Sequence, residues 1–156
     1  MSGLYGCPAN ATACKFIGIG TGTDARLAQE ALARNVSIGV PGQGHEAYSL
    51  HISGGGTQGE CILIMGNTAA GAYWGIQTLK QILRASTANT ALLPGLDVTD
   101  WPELPVRGVL LNNLGEKSPD PTFLPRVRYM AAHKMNFAFM EVAINAYDPV
   151  NFNMLY

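Results

Sequence analysis

Charge is scarce in this sequence. Only 13% of its 156 residues are Asp, Glu, Lys or Arg, against ~25% in ordinary soluble domains. Ten basic residues against eleven acidic ones leave a formal charge of -1. This excludes a disordered charged tail, which combines much charge with little apolar content. It also speaks against a nucleic-acid partner, which calls for a basic face. Cysteine is scarce too. Cys7, Cys14 and Cys61 are odd in number and match no zinc or disulfide spacing. They are read as free or buried thiols, with a Cys7–Cys14 bridge left open. His45, His51 and His133 lack metal-ligand spacing, so neither a metal nor a cofactor is expected. No apolar run approaches the ~18 residues of a membrane helix, so no membrane partner is expected. No basic-then-apolar leader opens the sequence, and the compartment stays open.

Turn formers are plentiful, with 18 glycines and nine prolines. Residues 1–14 read as irregular. Lys15 to Ile19 reads as a short strand, followed by a glycine turn and a helix over about Asp24 to Asn35. Thr23 or Asp24 can cap that helix, because a side-chain oxygen accepts an orphan amide of the first turn. Leu27, Ala28, Ala31 and Leu32 share one of its faces. Glu46 to Ile52 alternates like a half-buried strand, and Cys61 to Met65 is a continuous apolar run suited to a central strand. A second helix is predicted over Ala69–Ala85, with Ala72, Ile76, Leu79 and Leu83 inward and Tyr73 and Ile82 widening the stripe. Trp74 and Tyr73 are read as core, not as a platform for sugar rings.

From Asp97 the character changes. Asp100 to Pro105 reads as a rigid linker, since each proline restricts itself and the residue before it. Val106 to Leu111 reads as a strand, Phe123 to Lys134 as a helix, and Asn136 to Val142 as another strand. Thr122 is the predicted N-cap of that helix, with Pro125 at its third position, where a missing N–H costs nothing. Leu124, Val127, Met130 and Ala131 form its predicted buried stripe. The fold class read from these elements is α+β: a sheet with two helices on one face, then a strand–helix–strand unit.

Two stretches carry a family resemblance. Glu46-Ala47-Tyr48-Ser49-Leu50 with the helix Gly71-Ala72-Tyr73-Trp74-Gly75-Ile76-Gln77-Thr78-Leu79 resembles the small domain that precedes the catalytic barrel of β-N-acetylhexosaminidases and related glycoside hydrolases. Asp100-Trp101-Pro102 followed by Arg107-Gly108 resembles the junction where that family's (β/α)8 barrel begins, and Lys134-Met135-Asn136 the end of the first barrel helix. The resemblance spans roughly residues 45–142. It implies an N-terminal α+β domain over 1–104 and the start of an incomplete (β/α)8 barrel over 105–156. A whole barrel takes ~250 residues, so the expectation is a fragment of a glycoside hydrolase. Its carbohydrate substrate would be met only in the complete parent. The acidic pair that the family uses lies, on this resemblance, on a later strand, and no adjacent Asp-Glu occurs here. No catalytic residue is therefore assigned. The resemblance also departs from type. Asn112 stands where an Asp is usual, and Phe139 and Glu141 stand where His residues are usual.

Two substrate-binding candidates follow. The resemblance implies that Arg107, at the start of the first barrel strand, holds sugar hydroxyls through its planar guanidinium; the alternative is a structural pairing with Glu103 or Asp100. Glu141 falls near a strand's C-terminal end, where barrels gather their active sites; the alternative is a solvated carboxylate. A rival reading rests on Gly20-Thr21-Gly22-Thr23-Asp24-Ala25, which fits the G-x-G-x-x-A fingerprint of nucleotide-binding oxidoreductases. A third is a non-catalytic interaction module. Exposed strand edges over 106–156 are expected to leave this part marginally stable and prone to self-association.

Overall fold

The structure is a computed structural model and describes residues 3–5, 15–53, 61–85, 93, 95–111 and 122–140. The chain divides into two compact units, Met1–Glu103 and Leu104–Tyr156.

The first unit is built on a five-stranded mixed sheet. Its elements in chain order are β1 (Gly3–Tyr5), β2 (Phe16–Thr21), α1 (Ala25–Ala33), β3 (Tyr48–Ser53), β4 (Cys61–Gly66), α2 (Ala69–Ala85) and β5 (Leu96–Asp100). The strand order is β1-β2-β4-β3-β5. β2 and β4 run parallel, with Ile17 beside Ile62 and Ile19 beside Ile64. The other pairings are antiparallel. The apolar run Cys61–Met65 is indeed central, and α2 has the predicted bounds. Two strands escaped the sequence reading. β1 lies in residues read as irregular, and β5 runs up to the expected rigid linker, sharing only Asp100 with it. Three-residue β1 is too short for alternation to declare itself. In β5 the apolar Leu96 and Val98 alternate with Asp97 and Thr99, and Asp100 on the apolar face masks the pattern.

The two helices lie on opposite faces of the sheet, which corrects the expectation that they share one. β4 decides this by alternation, since successive side chains point to opposite faces. Cys61, Leu63 and Met65 pack with Leu27 and Ala31 of α1, together with Phe16 and Val36. Ile64 packs with Trp74 and Leu79 of α2, together with Tyr48, Leu50 and Ile52 of β3. An apolar run of strand length is thus a strand covered on both sides, and one-sided alternation is left to β3.

Local chemistry fixes each helix end. The Asp24 carboxylate accepts from the amides of Arg26 and Leu27 at the start of α1. At its other end Asn35 takes a left-handed conformation (φ 56), and the Val36 amide reaches back to the Ala31 carbonyl at 2.8 Å. Arg34 pairs with Glu30 one turn before it and lies over the Phe16 ring, 4.8 Å from its centre. Leu32, expected inward, is 68% exposed.

The buried face of α2 is rotated from the one its apolar residues predict. Ala72 and Leu79 are buried as expected and Ile76 is half-buried, but Leu83 and Tyr73 are exposed. The helix meets the sheet along Gly71, Gly75 and Leu79. A Cβ on Gly71 would overlap the Ala47 carbonyl, and one on Gly75 would overlap the Ile64 side chain and come within 3.0 Å of the Tyr48 ring. Apolar counting gives glycine no weight, so it missed the line of closest approach. Trp74 is buried in this core, as read, and its ring meets Tyr73 edge-on at 4.9 Å.

Polar groups fasten the same core. The buried Tyr48 hydroxyl donates to Asp100 at 2.8 Å and sits 2.6 Å from the Thr78 hydroxyl, so Thr78 is the donor to it. One phenol thereby ties β3, α2 and β5 together. Asn67, between β4 and α2, holds the 38–47 loop. Its side-chain carbonyl accepts the Val40 amide, and its NH2 reaches the carbonyls of Val40, Gln43 and Gly44, each at 3.0 Å.

The second unit holds β6 (Gly108–Leu111), α3 (Phe123–Ala132) and β7 (Phe137–Met140), with β6 and β7 paired in parallel. Pro125 is the third residue of α3, as predicted. Thr122 stands at the N-cap, but its side chain makes no capping bond, because its backbone is already in the helical region. Of the expected stripe only Met130 is buried; Leu124 is 62% exposed and Val127 is also exposed. No helix among the described residues is long and apolar enough to cross a membrane.

Candidate functional site

In the first unit the glycine turn before α1 is the first place to look for a ligand. A dinucleotide fingerprint works by leaving helix N-terminal amides free for a pyrophosphate. Here the Asp24 carboxylate takes the amides of Arg26 and Leu27 at 3.1 and 3.0 Å. A second anion would meet that carboxylate head-on. Gly22 serves packing, since a Cβ there would press on Ile38 at 2.7 Å. The oxidoreductase reading therefore falls on its own motif.

The second unit holds Arg107. It immediately precedes β6, at that strand's N-terminal end. Its Nε donates to the Lys134 carbonyl at 2.9 Å and one Nη to the Leu104 carbonyl at 2.7 Å. Its backbone amide donates to the side-chain oxygen of Asn136 at 2.9 Å. Its carbonyl accepts from the amides of Asn136 and Phe137. The guanidinium is thus engaged with backbone carbonyls of its own unit. Glu141, the other substrate-binding candidate, lies outside the described residues, as do Asn112, Cys7 and Cys14. Cys61 is a free, buried thiol.

Between α3 and β6 lies an open cavity of about 470 Å3, lined by Val109–Leu111 and by Pro125, Arg126, Tyr129 and Met130 among others. Its wall is mainly apolar, and Arg126 is its one charged residue. The described residues of this unit include no Asp or Glu at all. General acid–base work on a glycosidic bond commonly needs two carboxyl groups across the scissile bond, and the described second unit offers neither. No cluster of three or more His, Cys, Asp or Glu suited to a metal occurs among the described residues.

Sequence reasoning missed Asn136 and Asn67 as organising side chains. Both stand at the edge of a strand, Asn67 just past the end of β4 and Asn136 just before β7. The signal available was an Asn beside a strand boundary, where its amide can stand in for a backbone peptide.

Comparison with known proteins bears on the first unit. Residues 13–101 match the model of glycosyl hydrolase family 20, domain 2. The beta-hexosaminidase subunit beta of Sus scrofa is 25% identical over 114 residues, covering 71% of this chain and 20% of that protein. The crystal structure of a beta-N-acetylhexosaminidase superposes with a TM-score of 0.50 at 24% identity, covering 65% of this chain and 21% of that one. That likeness speaks to the fold. The chain spans about a fifth of the length of both relatives.

Proposed function

Because the chain belongs to glycosyl hydrolase family 20 through its domain 2, we propose that it forms the front of a glycoside hydrolase that removes terminal N-acetylhexosamine residues. On this reading residues 1–104 are a structural α+β domain, and residues 105–156 open a (β/α)8 barrel. The observation that carries it is the family match over 13–101, which falls within the compact unit Met1–Glu103.

The second unit supports the same reading by what it leaves uncovered. Among the described residues parallel β6 and β7 form a sheet of two strands, with Leu110, Phe137 and Phe139 exposed. A two-stranded sheet is marginal alone in water, and its open edges invite a further strand. Barrel strands would cover them. Self-association would be the substitute when such strands are absent. Carbohydrate would be met at the C-terminal ends of the strands, the end where barrels gather their active sites. Glu141 directly follows β7 at that end and is the substrate-binding candidate kept here. The bonds of Arg107 at the opposite end support a positioning role in place of a sugar-binding one.

Catalysis itself is assigned to an acidic pair outside this sequence, so the chain alone would be a non-catalytic module. A domain exchange tests both parts. Residues 13–101 would replace the matching domain of a family 20 hexosaminidase, and p-nitrophenol release from p-nitrophenyl N-acetyl-β-D-glucosaminide would be followed. The chimera is expected to hydrolyse the substrate, and the 156-residue chain to release nothing. A folded but inactive chimera would sink the assignment of the first unit. Turnover by the chain alone would sink its non-catalytic standing.

A further inference from the structure

We infer that Arg107 and Asn136 form a reciprocal clamp that sets the register of β6 against β7, making both positioning residues for the strand ends that follow. The Asn136 side chain accepts from the Arg107 amide at 2.9 Å and donates to the Pro105 carbonyl at 2.8 Å. Those two backbone groups flank Val106. In a parallel ladder a strand residue bonds its neighbour's flanking peptides in this same way. The carboxamide therefore acts as one extra rung, laid down before backbone pairing begins at Gly108 and Phe137. The Asn136 and Phe137 amides then both donate to the Arg107 carbonyl, at 2.8 and 3.1 Å.

Arg107 closes the clamp from the other side. Its Nε bond goes to the carbonyl of Lys134, which is in the left-handed region at φ 55. Lys134 is the turn residue that ends α3: its amide reaches Ala131, and the Met135 amide reaches Met130 at 2.9 Å. A lysine there is strained where glycine would be easy, and the guanidinium steadies it. The Nη bond to Leu104 anchors the chain entering β6. Gly108 completes the fit, because a Cβ there would overlap the Phe137 carbonyl. Slipping the register by one residue would forfeit together the bonds that cross between residues 105–107 and 134–137.

The clamp exists without sugar and stands or falls apart from the hydrolase assignment; only what it positions rests on that reading. Amide hydrogen exchange on the full chain tests it. In Asn136→Ala the Arg107 and Phe137 amides are expected to exchange about tenfold faster or more, through loss of the side-chain rung. Strands β3 and β4 of the first unit should be unchanged. In Asn136→Asp the acceptor survives and the donor does not, so the Arg107 amide should stay protected. That contrast separates a clamp from general loosening. Arg107→Lys cannot supply two forked donors, and the Met135 amide should lose protection. If Asn136→Ala prevents the second unit from folding, the Asp and Lys variants still decide the matter. Unchanged protection at Arg107 and Phe137 in Asn136→Ala, or at Met135 in Arg107→Lys, would overturn the clamp. Equal loss in Asn136→Asp and Asn136→Ala would overturn the rung.

Discussion

Gly71→Ala is expected to destabilise the first unit by about 3 kcal/mol or more, the upper end of what overpacking a close contact costs. The new methyl would overlap the Ala47 carbonyl, which is backbone and cannot swing aside. Gly75→Ala carries the more telling sign. Helix propensity alone promises a gain of about 1 kcal/mol for replacing glycine inside a helix. The contact geometry promises a loss, because the methyl meets Ile64 and the Tyr48 ring in the packed core. Gly44→Ala is the control: nothing lies within 4 Å of its Cβ, and stability should stay within about 0.5 kcal/mol. Urea unfolding followed by the fluorescence of Trp74 and Trp101 would report all three. A gain for Gly75→Ala would mean that α2 sits farther from the sheet than described.

Asn67→Ala is expected to cost about 3 kcal/mol. It removes four hydrogen bonds to the 38–47 loop at once, each with a net worth of about 1 kcal/mol. Gly39 lies against the Asn67 side chain at φ 67, and the hydroxyl of neighbouring Thr68 donates to the His45 carbonyl at 2.7 Å. Asn67→Asp should fare no better near neutral pH. It keeps the acceptor for Val40 but turns a carboxylate toward three carbonyl oxygens. Proteolysis within 38–47 is the direct readout, and the loop should become the first site cut. Resistance equal to the parent would show that the loop is held by its apolar residues alone.

The sequence made the strand and helix cores legible wherever period and length agreed. Cys61–Met65 and Ala69–Ala85 could hardly be read otherwise, since one is strand-length and wholly apolar and the other carries five helical turns of periodic apolar residues. What stayed hidden was determined by partners. Which face α2 buries depends on glycines that permit close approach, and glycine has no hydrophobicity to display. Which side of the sheet each helix takes depends on β4 being apolar on both faces, a property that one strand's sequence shares with a buried helix segment. Arg107 illustrates the limit for the site. Its sequence context carried a family resemblance, but its partners, Lys134 and Leu104, are backbone carbonyls that no side-chain pattern advertises. Trp74 was legible because its helical spacing put it in the core, where it lies.

The order β1-β2-β4-β3-β5 has a consequence for the way the chain is made. β2 leaves the ribosome well before the strand it must lie beside, because residues 22–60 are synthesised between β2 and β4. At roughly 5–20 residues per second that is a wait of about 2–8 s. During it, α1 is complete, yet Leu27 and Ala31 still lack Leu63 and Met65 to pack against. β3 likewise has no neighbour until β4 arrives to pair with it. The nascent unit should therefore stay open and chaperone-accessible until Gly66 emerges and β4 enters as the keystone between two waiting strands, and its second face should close only as α2 and β5 follow.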